Sequence, residues 1–193
     1  LNATASENTV VYSRNGTQTV KATTYFNLIL SGTSAKTTTS ITINNILRME
    51  GTATATAVPS YGANSGIQYN RTTDQSAGVE WAATFSGTGG IVIENTGTVT
   101  LNNAKTINTN LTIKNSASLN TASYAIGITG NFSNSGTFSA GSGTITFNGS
   151  AQQHIYGNSL TTFNNVTLNN NTGLVLGASG NTGINGILTF SSG

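Results

Sequence analysis

The sequence predicts an all-β fold, a parallel β-helix (β-solenoid) whose coils each contain roughly 20 residues. Three observations predict it: short runs alternate apolar and polar residues, Asn, Gly and Ser separate these runs, and similar runs recur along the 193 residues. Alternation with a period of two indicates a half-buried strand, and a repeat of this length is typical of stacked coils. A tandem β-sandwich is the alternative, because the same alternation would suit it.

The alternating runs are too short for helices and lack apolar residues at helical spacing. They are rich in Thr, Ile and Val, whose branched side chains favour extended backbone. The clearest runs are Thr9–Tyr12, Ser40–Ile43, Gly66–Tyr69, Gly90–Ile93, Thr98–Leu101, Asn110–Ile113, Thr144–Phe147, Asn165–Leu168 and Gly186–Phe190. We therefore expect Ile, Val, Leu and Phe to point inward, and Thr, Asn and Ser to point outward.

An internal repeat supports the solenoid over the sandwich. The run order of Thr9–Leu30 returns in Thr144–Leu168, and weaker echoes read Ile107–Leu111 and Ile128–Phe132. A single coil cannot bury its apolar face, but coils stacked about 4.8 Å apart form a continuous core. Small turn residues would allow the positive φ angles of tight corners, and the candidates are Gly141, Gly143, Gly149 and Gly157.

Composition excludes several classes of partner. Charged residues are 6% of the chain, against about 25% in an ordinary soluble domain. No apolar run approaches the roughly 20 residues of a membrane span, so membrane insertion is not expected. The seven basic and five acidic residues are scattered. Because no basic cluster can neutralise phosphates, nucleic acid is not an expected partner.

We expect residues 1–193 to form a single β-solenoid segment of a longer extracellular protein, since the sequence starts and stops abruptly. One stretch, residues 48–85, breaks the regular alternation and is called the irregular stretch below. It contains the single proline, Pro59, and the single tryptophan, Trp81. It is expected to be either a distorted coil or a functional protrusion.

Two segments carry a family resemblance. Gly51–Glu80, with its Thr-Ala alternation, and Gly130–Phe138, with the following Thr144–Phe147, resemble secreted or cell-surface β-solenoid repeat proteins of the Bacteroidetes. Such proteins are exported by type IX secretion. The resemblance implies an extracellular location or a place on the bacterial outer cell surface, and it brings no catalytic residue with it.

Residues with catalytic or metal-binding chemistry are few. The chain has one histidine, His154, one aspartate, Asp74, and no cysteine. Neither a nucleophile–base pair nor a carboxylate cluster is visible, so we expect no enzyme activity, no metal site and no cofactor. His154 is predicted to be a surface residue on a strand. Ion pairs of Arg48 with Glu50 and of Arg71 with Asp74 are expected on the surface, each worth under ~1 kcal/mol.

These observations predict a non-enzymatic structural or adhesive segment that stacks end to end with itself or with neighbouring repeats, an arrangement that would build fibres. The alternative is a carbohydrate-binding module, with polysaccharide stacked on exposed Tyr61, Tyr69 and Trp81. The competing interpretation of these three aromatics is that they fill the core of a distorted coil. An ice-binding threonine array is a further alternative, although the Thr-x-Thr runs look interrupted and shifted along the sequence.

Overall fold

The computed structural model describes residues 3–94, 96–177 and 181–192. In these residues the chain forms 25 strands and no helix. All strand pairs among them are parallel. The strands stack into a β-solenoid of about nine turns with coils of about 20 residues. The predicted fold class is therefore confirmed, because a β-sandwich is built from antiparallel sheets.

The strands are short, as the alternating runs predict. Four of the predicted runs coincide with a strand at both ends, namely 9–12, 66–69, 90–93 and 144–147. In chain order the strands are β1 Thr9–Tyr12, β2 Gln18–Thr19, β3 Thr24–Leu30, β4 Thr33–Thr37, β5 Thr42–Met49, β6 Thr52–Ala55, β7 Ser60–Tyr61, β8 Gly66–Tyr69, β9 Gln75–Ser76, β10 Thr84–Phe85, β11 Gly90–Ile93, β12 Thr98–Thr100, β13 Lys105–Ile107, β14 Leu111–Ile113, β15 Ser118–Asn120, β16 Ile126–Ile128, β17 Phe132–Asn134, β18 Thr137–Ser139, β19 Thr144–Phe147, β20 Gln153–Tyr156, β21 Thr161–Phe163, β22 Asn165–Asn169, β23 Leu174–Leu176, β24 Thr182–Ile184 and β25 Leu188–Ser192.

In the described residues, five parallel sheets form the sides of the rod, and one of them, sheet A, extends from the first coil to the last. Sheet A has the order β1-β3-β5-β8-β11-β14-β17-β20-β23, with β7 also paired to β5. Sheet B contains β2, β4 and β6, and sheet C contains β9, β12, β15 and β18. Sheet D runs from β10 through β13, β16, β19 and β22 to β25, and sheet E pairs β21 with β24. The cross-section of the rod thus changes from two sheets, A and B, to three sheets, A, C and D.

The change of cross-section falls within the irregular stretch. In sheet A, Thr9 pairs with Asn27 in the first coil, whereas Ile67 pairs with the more distant Ile91 after the change. The coil is therefore longer there. Sheet B ends with β6, and sheets C and D begin with β9 and β10. The broken alternation of residues 48–85 thus marks the widest coil and the start of two new sheets.

The core is a set of apolar columns, each formed by in-register residues of successive coils. One column of sheet A consists of Leu28, Leu47, Ile67, Ile91, Leu111, Phe132 and Ile155. All seven side chains are buried, and full burial of such a side chain stabilises the fold by about 1.5–3 kcal/mol. The predicted inward orientation of Ile, Val, Leu and Phe is confirmed for the Ile, Leu and Phe residues of this column, whereas Val11 and Leu160 are exposed at 51% and 63%.

The two sequence copies do not occupy equivalent sides of the rod. Thr9–Tyr12 lies in sheet A, whereas Thr144–Phe147 lies in sheet D. In both copies the first run pairs with the last run one coil later. The weaker echoes stack directly, since Ile107 pairs with Ile128 in the neighbouring coil. The repeat therefore reports the length of a coil and not the side of the rod.

Buried polar side chains hold the corners between sheets. Thr38 Oγ1 donates to the Ala57 carbonyl at 2.6 Å, and Thr121 Oγ1 donates to the Ala140 carbonyl at 2.7 Å. Gln153 Nε2 donates to the Ile128 carbonyl at 2.9 Å. These bonds satisfy main-chain carbonyls where the chain leaves a strand. Neutral side chains therefore supply the hydrogen bonds that the corners need.

Glycines serve two purposes at the turns. Gly141 and Gly157 have φ angles of 55° and 112°, as predicted. Gly143 and Gly149 do not have positive φ, so that prediction is wrong for them. At these positions the absence of a side chain avoids a steric clash. A Cβ atom on Gly143, for example, would lie 2.6 Å from the carbonyl oxygen of Tyr124.

Gly157 offers a test of coil spacing. A Cβ atom there would overlap the main chain of Asn134 in the preceding coil, whereas a Cβ on Gly16, at a similar φ of 107°, meets nothing within 4 Å. Both alanine variants should lose about 1–2 kcal/mol from the left-handed backbone, and Gly157→Ala should lose about 1–3 kcal/mol more from the overlap. Denaturant unfolding of the two variants measures the difference, and equal losses would contradict the close coil contact.

Candidate functional sites

Two of the three aromatic residues predicted to bind carbohydrate lie inside the rod. Tyr69 is 0% exposed and Trp81 is 1% exposed, while the half-buried ring of Tyr61 packs edge-on against Phe85 at 5.1 Å. Stacking a sugar needs an open ring face, which the buried rings of Tyr69 and Trp81 lack. The predicted exposure is therefore wrong for Tyr69 and Trp81, which fill a distorted coil as in the competing interpretation. Tyr61 is half-buried.

All three aromatics are linked to Glu80. The Tyr61 hydroxyl donates to the Glu80 carbonyl at 2.6 Å, and the Tyr69 hydroxyl donates to Glu80 Oε1 at 2.9 Å. The rings of Tyr69 and Trp81 lie 5.9 Å apart. Sequence reasoning grouped the right residues, but it could not tell that the wide coil turns them inward.

A buried polar cluster surrounds these aromatics at the change of cross-section. We define it as Tyr69, Arg71, Gln75, Glu80 and Lys105, all of which are buried. Glu80 Oε1 also accepts a hydrogen bond from the main-chain nitrogen of Gly78 at 2.7 Å. In the described part of the chain, Glu80 Oε2 and both amide atoms of Gln75 are buried without a hydrogen bond. The cluster is thus an enclosed polar core and not an open cleft.

Arg71 closes the end of sheet B. Its Nη2 donates to the carbonyl of Ala53, in the last strand of sheet B, where no later described strand continues the sheet. The expected surface ion pair of Arg71 with Asp74 is not formed among the described residues, because Asp74 Oδ1 accepts from the main-chain nitrogen of Thr98 at 2.7 Å instead. Burial lowers the pKa of Arg71, and Glu80 partly opposes this shift.

The other expected ion pair is present. Arg48 Nε lies 2.9 Å from Glu50 Oε1, and Arg48 Nη2 lies 3.7 Å from Glu94 Oε2 in a later coil. These side chains are about one-third exposed, so the pairs contribute at most about 1 kcal/mol each.

Two lysines also donate to main-chain carbonyls inside the rod. Lys36 Nζ donates to the carbonyls of Arg14, Gly16 and Thr33 at 2.6, 3.1 and 3.1 Å. Lys105 Nζ donates to the Trp81 carbonyl at 2.5 Å and lies 5.6 Å from the centre of the Trp81 ring. Burial lowers the pKa of Lys105 to about 8, and the charge of Glu80 partly opposes this shift.

The outer surface carries one stacked aromatic pair among the described residues. His154 and Tyr156 lie on the outward side of β20, with ring centres 5.1 Å apart and planes 4° apart. His154 is half-buried on this face, and Tyr156 is 46% exposed. Sequence reasoning placed His154 on a surface strand but missed Tyr156. The signal was the i, i+2 spacing, which places both rings on the same face of a strand.

The C-terminal end of the rod is apolar and open. Of the twelve exposed large hydrophobic residues in the described chain, six lie between Val175 and Phe190. An open depression of about 350 Å³ lies there. It is lined by Phe147, Ile155, Phe163, Val166, Leu168, Leu174, Leu176, Thr182, Ile184, Leu188 and Phe190. These are the same inward columns that later coils cover elsewhere, so we call this surface the open end.

Threonines on sheet D align more regularly than the sequence suggested. An outward column consists of Thr84, Thr106, Gly127, Thr146, Thr167 and Thr189. Because successive coils differ in length, this alignment is hidden in the sequence. The column is one residue wide, and its neighbours include Thr144 paired with Asn165. The ice-binding alternative stays a prediction.

Comparison with models of protein families, with curated proteins and with solved structures gave no match. The described residues contain no helix that is long and apolar enough to cross a bilayer. In the same residues, no group of three His, Asp or Glu side chains lies close enough together to hold a metal ion.

The burial of Trp81 can be tested by fluorescence, because it is the only tryptophan in the chain. Folded protein should show blue-shifted emission that iodide does not quench, since the indole is enclosed by the coil. Unfolding in guanidinium should shift the emission to the red and make it quenchable. Iodide quenching of the folded protein at the unfolded rate would contradict the buried position.

Lys105 should make stability depend on pH. Its pKa is about 8 in the folded protein, against an ordinary value of 10.5. Between pH 8 and pH 10.5 the unfolded chain therefore binds more protons than the folded protein. The free energy of unfolding should therefore rise as pH increases above 8. Burial, with Glu80 adding, raises the pKa of Tyr61 and Tyr69, so their contribution is lost only above about pH 10.

Denaturant unfolding between about pH 7 and pH 9.5 measures this dependence below the tyrosine range. Lys105→Met should remove the rise, whereas the exposed Lys114→Met should retain it, since Lys114 is outside the buried polar cluster. A rise that persists in Lys105→Met would show that another group causes it.

Proposed function

We propose that this chain is a non-enzymatic structural segment of an extracellular bacterial surface protein, and that its open end receives a further parallel coil, supplied by a neighbouring repeat or by a second copy of the chain. The observation that carries the proposal is the concentration of exposed apolar side chains on the last coil. A contiguous apolar surface of this kind typically marks an interaction site.

Association at this end is energetically favourable because the inward apolar columns of the core are exposed to water there. Phe190, Leu176 and Leu188, which continue inward columns, are exposed at 67%, 57% and 45%. Covering side chains of this size contributes about 1.5–3 kcal/mol each when burial is complete. One added coil would bury several of them together, which is enough to offset much of the cost of association.

A second copy fits this surface because sheet A reaches both ends of the rod. Among the described residues, β1 and β23 are the two outermost strands of sheet A, and each has a neighbour on one side only. Both are parallel strands, so β1 of one copy can continue the sheet after β23 of another. β1 also brings Val10 and Tyr12, which are half-buried and pack against the core. A head-to-tail contact of this type repeats without closing and produces a filament.

The positions of the buried cationic side chains support a structural role. Lys36, Arg71 and Lys105, three of the seven cations, are bound to main-chain carbonyls inside the rod. Their positive charge therefore holds coils together. The extracellular part, and the relation to Bacteroidetes proteins exported by type IX secretion, is supported by the resemblance in residues 51–80 and 130–138.

Charge at the open end should prevent assembly. Phe190→Asp places a carboxylate among the apolar lining residues, and its desolvation opposes contact with a second copy. Val58→Asp is the matched control, since Val58 is 54% exposed but lies far along the chain from the open end. Sedimentation velocity over a wide concentration range should show linear oligomers that lengthen with concentration for wild type and Val58→Asp, and monomers for Phe190→Asp.

Two results would contradict the proposal. A wild-type protein that remains monomeric at the highest concentrations would show that the open end does not receive a second copy. Association that stops at the dimer would indicate a symmetric contact between two open ends instead of head-to-tail stacking.

A further inference from the structure

We propose that the outer face around His154 and Tyr156 is a binding site for neutral polysaccharide, in which a sugar ring stacks on the exposed face of Tyr156. This site lies on the side of the rod, on sheet A, and adjoins the open end, since Val175 is in register with His154. It would add adhesion to carbohydrate to the structural role proposed above.

The first argument is the arrangement of the two rings. They are parallel at 4°, whereas the other aromatic contacts of the described residues are edge-on or tilted. Strand β20 fixes the pair, because Gln153 and Ile155 point inward and are buried. The His154 ring thus supports one face of the Tyr156 ring and holds its orientation. An ordered, exposed aromatic ring is the common platform for the C–H face of a sugar.

The second argument is the polar surface beside the rings. Tyr156 pairs with Ser133 in the preceding coil, and Ser133 pairs with Thr112 in the coil before that. Both are outward, half-exposed residues of sheet A, and neither hydroxyl forms a hydrogen bond with the described residues. A row of uncommitted hydroxyls about 4.8 Å apart leads away from the ring. It can accept and donate hydrogen bonds to the hydroxyl groups of successive sugars.

The third argument is that asparagines fix the backbone of this face. Asn131 Oδ1 accepts from the main-chain nitrogen of His154 at 2.8 Å, and Asn110 Oδ1 accepts from the main-chain nitrogen of Asn131 at 2.7 Å. These side chains therefore bridge three successive coils next to the rings. A flat site held in place before the ligand arrives loses little entropy when a glycan chain binds.

The chemistry of the face selects the ligand class. Around the rings the outward residues are Asn131, Ser133 and Thr112, with Val175 in register with His154 in the next coil. No carboxylate or ammonium group belongs to these positions. The nearest cation along this face is the exposed Lys114, two residues after Thr112. The positions beside the rings are themselves uncharged, so a neutral glycan fits them best.

The single histidine makes the test direct. Because His154 is the only histidine in the chain, its imidazole proton signals in an NMR spectrum need no assignment. The protein would be titrated with cellohexaose, laminarihexaose and mannohexaose as neutral probes and with hexagalacturonate as an acidic probe. Using the Phe190→Asp variant for every titration keeps the protein monomeric, so the result does not depend on end-to-end assembly.

We expect at least one neutral hexasaccharide to shift the His154 signals with saturation, and Tyr156→Ala to weaken that binding at least about tenfold. Tyr124→Ala is the matched control, because Tyr124 is 41% exposed and has no ring partner among the described residues. It should bind like the parent protein. Tyr156→Phe should retain most of the affinity, since the ring face carries the contact, and thermal unfolding should show that all variants remain folded.

Three outcomes would overturn the proposal. They are no saturable shift with any neutral probe, binding of hexagalacturonate alone, and equal losses in Tyr156→Ala and Tyr124→Ala. The third would indicate general adhesion to exposed tyrosines and not a built site. None of these outcomes bears on the open end, because assembly is measured separately with Phe190→Asp and Val58→Asp.

Discussion

Main-chain hydrogen bonding between parallel coils is the constraint on which the rest of this structure depends. A coil of about 20 residues satisfies its own peptide groups only through the coils above and below it. Sheet A meets this condition along the whole rod, and the other sheets start and stop beside it. Wherever a sheet stops, its carbonyls need another donor, because buried main-chain groups without hydrogen bonds are costly. The unusual features of the interior are responses to that requirement.

The buried cations illustrate this response. A lysine or arginine inside an apolar rod is unfavourable unless its donors are satisfied. Here each such residue donates to carbonyls: Lys36 to three in the first coils, Arg71 at the end of sheet B, and Lys105 beside the start of sheet D. The Glu80 carboxylate opposes part of the lowering of the pKa of Arg71 and of Lys105, and Glu80 accepts hydrogen bonds from two tyrosines. The widest coil is therefore filled by a polar network, where a regular coil is filled by Ile and Leu.

The same construction explains why the exterior is nearly featureless and why its exceptions are informative. Outward positions need only suit a strand and water, which Thr, Asn and Ser do without charge. Among the described residues, the departures that bear on the proposed roles are the open end, where inward columns are exposed to solvent, and the stacked pair of His154 and Tyr156 on sheet A. One departure concerns the ends of the rod and the other its side. A filament assembled through the ends would repeat the side site at regular intervals and strengthen weak binding to a polymer through multivalency.

The sequence by itself determined the fold class, the coil length and the inward residues, because period-two alternation and a repeat of about 20 residues depend on local geometry. It also located the irregular stretch and grouped Tyr61, Tyr69 and Trp81. Only the tertiary structure decided the direction of those rings, the partners of Arg71 and Lys105, and the alignment of Thr84 with Thr189 through the intervening coils. The physical reason is that coil length varies along the rod. Each change in length shifts the register between sequence and space, so contacts across coils cannot be read from residue spacing.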